Sequence, residues 1–234
     1  LLELPDRFAL KCGPSGFHLQ PPVSISPGYM LLILLPLTVA VLHPSLPTAR
    51  LAHAHALVGR AQDAYSVVAR KHYLATAAAG SGILRAGADL AGQFARDGAA
   101  DPTHTLSMAA VATVVSGLCG AQWMRHLDST LGDSTGRSPA ESAGLVAAKA
   151  FADYTCFAPC ANSAYLFLLP LLTGAGVEAA TTSVVAHLPF LMQLEFMLWM
   201  PYNLIAFSHL PLHLRPATSA LLSALFTLSI ATVA

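Results

Sequence analysis

The chain has 234 residues, 55% of them hydrophobic and 10% charged, with 12 Lys and Arg balancing 12 Asp and Glu. A soluble domain carries roughly 25% charged residues to keep its surface wet, so this composition excludes an ordinary soluble globule and points to an integral membrane protein. Balanced charge, with no basic patch interleaved with aromatics, excludes a nucleic-acid partner.

Residues 1–28 are rich in Pro, Gly and Ser and read as an extended arm that needs a partner surface for order. The chain opens at Leu1, as expected of a cleaved leader such as an organellar presequence, or of a partial chain. "YMLLILLPLTVAVL" (29–42) is broken by Pro36 and is short against the roughly 20 residues of a span. It predicts a re-entrant or interfacial segment. The polar, basic stretch 43–71 that follows predicts a helix lying on the membrane surface. From Lys71 onward the sequence becomes a run of apolar segments at 72–95, 103–124, 142–174, 181–210 and 217–234, joined by short connections. The expected fold is therefore all-α: a polytopic transmembrane helix bundle of four to five spans (65–234), preceded by the arm and interfacial helix (1–64). Arg50, Arg60, Arg70, Lys71, Arg125, Arg137 and Arg215 fall on one side of this topology and Arg96 on the other, an asymmetry that fixes relative orientation.

The charges inside the spans recur at helical spacing. Arg85 and Asp89, and Lys149 and Asp153, are four apart; Arg125 and Asp128 are three apart. Such residues share a helix face and can pair there, which offsets part of the about 2.5–3.5 kcal/mol that a charge at a helix centre costs on the insertion scale. Glu195 has no such neighbour, so it requires a partner from another helix, a water-filled lumen or a proton. Arg85, Asp89, Lys149, Asp153 and Glu195 are thus expected to face inward, either lining a hydrophilic path or acting as interhelical polar contacts. Gly82 with Ala86, Ala88 with Gly92, and Gly117 with Ala121 form small-residue faces that let helices approach closely in lipid.

From about Tyr65 to Arg215 the chain resembles the Mpv-seventeen family, also called the twenty-two-kilodalton peroxisomal membrane protein family. "GADLAGQ" supplies Gly87, Asp89 and Gln93 of its first-span pattern, with an alanine inserted between Gly and Asp. "GLCGAQWMRHLD" keeps Gly117, Trp123, Leu127 and Asp128, but has Leu118, Ala121 and Met124 where the family has proline, histidine and tyrosine. Lys149, Asp153 and Pro159 fit the third-span pattern, with Tyr154 in place of glutamine. "LWMPYNLIAFSHLPLHLR" matches the closing signature at Trp199, Phe207, Pro211 and Arg215, with its proline displaced to Pro201 and Ala206 where asparagine is usual. The resemblance implies a compact bundle in an organellar membrane, first the mitochondrial inner membrane and otherwise a plastid or peroxisomal one. It also implies a channel or pore for ions or small metabolites. The unmatched N-terminal arm motivates the alternative of a non-catalytic accessory subunit in a respiratory or photosynthetic membrane complex. The expected partners are the lipid bilayer and, through the arm, other subunits of such a complex.

Other residues carry less. His53 and His55 lie on different faces of a helix, so they make no metal site alone. His209 and His213 flank Pro211 and read as a turn at the membrane edge. Cys156 and Cys160, one turn apart, read as small buried packers. Phosphate-binding, dinucleotide and nucleophile-elbow motifs do not occur, so no catalytic residue, metal or cofactor is expected and the protein is not read as an enzyme. Pro159, Pro170, Pro189 and Pro201 predict kinks, as hinges of a gate or as fixed bends.

Overall fold

The computed structural model describes residues 60, 63–134 and 138–233. The N-terminal arm, the apolar segment 29–42, Arg50, His53, His55 and Arg137 lie outside the described residues. Among the described residues the chain is helical, with no strand. Residues 63–71 are helical and bend at His72 into α1, Tyr73–Asp97. Helix α2 runs as Pro102–Ala112, a π-helical stretch Thr113–Cys119, and Gly120–Leu131. Helix α3 has the same plan: Pro139–Ala152, a π-helical stretch Asp153–Phe157, and Ala158–Leu172. Helices α4 (Val177–His209) and α5 (Arg215–Val233) complete the bundle.

Local chemistry sets the helix ends. The Asp101 side chain accepts from the backbone N–H groups of Thr103 and His104, with Pro102 opening α2. That arrangement satisfies donors the first turn leaves free. Ser138 and Glu141 close a capping box at the start of α3. Gly98, at φ 64°, ends α1 in the left-handed conformation that glycine adopts without strain. In α3 the π-helical stretch ends two residues before Pro159. Proline lacks the N–H for the Thr155 carbonyl and its ring crowds that turn, and a π-bulge is one way to relieve the conflict. Pro189 and Pro201 lie inside a continuous α4.

Among the described residues, three helical segments are long and apolar enough to cross a membrane: Pro102–Leu131, Glu141–Leu172 and Val177–His209. The apolar segment read at 181–210 lies almost wholly in one continuous helix, Val177–His209. Burial is arranged as lipid demands. Ile83, Leu106 and Val185 are exposed, while the largest fully buried side chains are Arg215, Lys149, Phe207 and Ser134. The remaining core is mostly alanine, at positions 69, 77, 112, 121, 150, 180 and 206 among others. In water this distribution would be inside out; in hydrocarbon, which offers no hydrophobic drive between helices, small residues and polar contacts hold helices together.

Helix α1 packs along α5 on one side and against the first two-thirds of α2 on the other, while α3 pairs with α4. The α1–α2 contact is a backbone approach. A Cβ on Gly117 would lie 2.6 Å from the Ala78 Cα, and one on Gly82 would lie 2.3 Å from the Thr113 Oγ1. Of the small residues read from sequence, Gly82, Ala88, Gly92, Gly117 and Ala121 are buried. Gly87 is exposed with nothing within 4 Å of its would-be Cβ.

This contrast gives a paired test. Gly117→Ala should destabilise the detergent-solubilised protein by about 1–3 kcal/mol, the usual cost of overpacking. Gly87→Ala should be neutral or stabilising by up to about 1 kcal/mol, from helix propensity alone. Thermal unfolding followed by the fluorescence of Trp123 and Trp199 reads both; equal behaviour of the two variants would contradict the close approach.

Candidate functional site in the bundle interior

The end of α2 carries Asp128, and two cations converge on it. Arg215, the first residue of α5, donates from Nη1 to both carboxylate oxygens at 2.9 Å. Lys149, ten residues into α3, donates from Nζ to Asp128 Oδ1. Both cationic residues have 0% relative exposure. Their remaining donors are spent nearby: Arg215 Nε on the Leu210 carbonyl at 2.9 Å, and Lys149 Nζ on Ser134 Oγ at 3.3 Å. Ser134 in turn donates to the Phe207 carbonyl at 2.6 Å. The Phe207 ring lies under both cations, 5.1 Å from Arg215 and 5.9 Å from Lys149. Asp133 stands at the exposed rim, 4.0 Å from Arg215. Asp128, Lys149, Phe207 and Arg215, far apart in sequence, thus form one latch joining α2, α3, α4 and α5.

The expected intrahelical pairs do not form. Lys149 bonds Asp128 instead of Asp153. Asp153 opens the π-helical stretch of α3 and accepts from Trp123 Nε1 of α2 at 2.9 Å and Asn203 Nδ2 of α4 at 2.7 Å. It is buried and held by neutral dipoles. Trp123 also stacks on Phe157, with ring centroids 6.0 Å apart. Arg125 lies over the Tyr73 ring at 4.7 Å rather than on Asp128, and the Tyr73 hydroxyl donates to the Ala121 carbonyl at 3.1 Å.

Arg85 and Asp89 also part. Asp89 turns to the start of α2, accepting from Thr105 Oγ1 at 2.8 Å and Gln93 Nε2 at 2.7 Å, with His104 Nδ1 at 3.1–3.2 Å. Gln93 closes this cluster by accepting the Asp101 N–H. Arg85 turns to α5, where its Nη1 donates to Thr227 Oγ1 at 2.7 Å and to the Ser223 carbonyl at 3.3 Å. It lies 5.4 Å from the centroid of the Tyr165 ring, whose hydroxyl is 2.8 Å from Ser116 Oγ. Glu195 finds the partner from another helix that its isolation requires: Asn162 Nδ2 of α3, at 3.1 Å.

The remaining residues named from sequence are peripheral to these contacts. Trp199 meets Tyr202 edge to face at 5.5 Å, and the Tyr202 hydroxyl donates to the Arg215 carbonyl at 3.1 Å. Pro211 accepts the Leu214 N–H in the turn between α4 and α5. In the same turn, burial and then the charge of Arg70 hold His213 below the ordinary histidine range, and Arg70 Nε reaches its Nε2 at 3.5 Å. Cys119, Cys156 and Cys160 are free and exposed. This corrects the reading of Cys156 and Cys160 as buried packers: α3 turns that face outward, where thiols are small enough to sit among lipid chains. Among the described residues, His, Cys, Asp and Glu come together in no group of three able to hold a metal.

Asn162, Tyr165, Tyr202, Asn203 and Thr227 are the residues sequence reading missed. The signal was present for the two amides: a side-chain amide in an otherwise apolar span needs a partner, as a charge does. No family model, no curated protein and no solved structure matches this chain.

Asp128→Asn would leave two buried cations without a carboxylate and should cost about 3–5 kcal/mol. Lys149→Met leaves the Asp128–Arg215 pair intact, so its loss should be clearly smaller. Unfolding of the reconstituted protein by sodium dodecyl sulfate, followed by tryptophan fluorescence, orders the two. Equal losses would contradict Asp128 as the shared acceptor.

Proposed function

We propose that the chain is an organellar integral membrane protein similar to the Mpv-seventeen family, and that it serves as a channel for ions or small metabolites. In this reading α1 and α5 cross the membrane with the three long apolar helices, giving five spans, the upper end of the expected four to five. The mitochondrial inner membrane is the first location, with plastid or peroxisomal membranes as alternatives. The observation that carries the reading is a polar seam through the middle of the bundle in which charge is not closed into ion pairs. Arg85 and Glu195 are held by Thr227, Ser223 and Asn162, all neutral partners. Intramembrane charges of this kind mark solute pathways by default. Lys149 is spent on the latch, so the path would be lined by Arg85, Glu195 and Asp153, with Asp89 towards one end.

A specific observation supports the second reading, a non-catalytic accessory subunit of a larger membrane complex. Asp128, Lys149 and Arg215 satisfy one another inside the bundle, which is what a static scaffold needs.

Planar-bilayer recording of the purified protein separates the two. The channel reading predicts discrete conductance whose reversal potential in a salt gradient moves toward cations in Arg85→Gln and toward anions in Glu195→Gln. A folded, electrically silent protein that leaves mildly solubilised membranes only in a stoichiometric complex would contradict it and favour the subunit.

A further inference from the structure

We infer that Arg85 is a binding site for the oxyanion group, carboxylate or phosphate, of a small solute that enters the bundle. A guanidinium has five N–H donors in a planar fork and keeps its charge at any physiological pH. A buried carboxyl or amine can shed its charge in a membrane interior; an arginine cannot, so its charge must be met by an anion or by dipoles. Nη1 is met: Thr227 Oγ1 and the Ser223 carbonyl take its two hydrogens. The opposite edge is not. Nε is buried with no hydrogen-bond partner, Nη2 makes no hydrogen bond among the described residues, and Arg85 makes no ion pair there.

The unspent pair, Nε with Nη2, is the side-on edge that grips the two oxygens of a carboxylate or phosphate in parallel. The guanidinium carbon lies over the Tyr165 ring, 5.4 Å from its centroid, a cation–π contact that uses none of these N–H donors. Among the described residues, Glu195 makes no ion pair with the arginine; its carboxylate is held on Asn162 at 3.1 Å. The edge is therefore not filled from within, among the described residues.

Position decides the source of the anion. Arg85 lies midway along the 25-residue α1, with about 18 Å of helix on either side. A lipid phosphate at the headgroup level is out of reach, so the occupant is a soluble oxyanion. This deepens the channel reading by naming its solute class, and rests on α1 crossing the membrane as that reading holds.

The test is the thermal stability of the full chain, purified in a phosphate-free maltoside detergent and titrated with sodium phosphate or sodium acetate. Sodium chloride at equal ionic strength is the reference. Binding to the folded state raises the melting temperature in a saturable way, and the wild type should show this. Arg85→Gln should abolish it. Arg85→Lys retains the charge without the fork, so the fold is kept and the half-saturating concentration should rise about tenfold or more. The inference is overturned by no shift beyond chloride in the wild type, or by an equal response in Arg85→Lys. A response confined to Glu195→Gln would also overturn it, since Glu195 would then be the occupant, as would a response to added phosphatidate and not to inorganic phosphate. A saturable shift in a protein that is silent in bilayers removes the channel and leaves the site; conductance without a shift removes the site and leaves the channel.

Discussion

One carboxylate, Asp128, holds the bundle's ends together. In hydrocarbon no hydrophobic force draws helices into contact, and two fully buried cations would each carry a desolvation cost of several kcal/mol if left alone. Asp128 answers both problems. It takes Arg215 through a two-oxygen contact and Lys149 through the oxygen they share. The Phe207 ring and the Ser134 hydroxyl fill the space that water would otherwise enter. The α2 end, the interior of α3, the α4 end and the α5 start are fixed by this arrangement. Helix α1 is attached differently, by glycine-mediated backbone contact with α2 and by Arg85 reaching to α5.

How much of this could be read from the chain follows from which interactions are local. The all-helical class comes from length and apolar composition, which give five apolar segments where three described helices are long and apolar enough to cross a membrane; the inward placement of charge comes from its cost in lipid. The cap at Asp101 is equally local; at Gly82 and Gly117 only the small-residue spacing is local, and the close approach itself joins α1 to α2. Partner choice is not. Lys149 and Asp153 are four apart and share a face, yet Asp153 opens a π-helical stretch and each residue meets a better partner on a neighbouring helix. Lys149 gains a carboxylate already held by Arg215; Asp153 gains an indole N–H and an amide. Arg85 and Asp89 separate for the same reason, one drawn to α5 and the other to the α1–α2 connection. A contact 87 residues apart, such as Asp128 with Arg215, leaves no periodic trace. Asp128, Lys149, Phe207 and Arg215 all stand out in the sequence, but their convergence was visible only in three dimensions.

The interior is therefore used in two ways. At one end two cations meet one buried carboxylate, with Asp133 at the rim, and the structure there is closed. Along the middle, Asp153, Glu195 and Arg85 are held by indole, amide, hydroxyl and carbonyl dipoles. Dipoles satisfy such groups without an opposing charge. Two π-helical stretches, in α2 and α3, lie beside this region and carry Thr113–Cys119 and Asp153–Phe157. Such bulges redirect side chains off the regular helical stripe, which brings Asp153 to Trp123 and Gly117 to Ala78. The functional reading grows from this separation: a closed latch that holds the helices, and a polar seam between them that is open to chemistry.

The measurement that tests the account most directly is a double-mutant cycle between Asp128 and Arg215, using Asp128→Asn, Arg215→Met and the pair, with unfolding free energies taken in the same lipid mixture. A shared buried ion pair predicts strong non-additivity, the double variant losing less than the two single losses combined by at least about 2 kcal/mol. Losses that add to within about 0.5 kcal/mol would mean the two residues act independently, and would contradict Asp128 as the point on which the bundle is built.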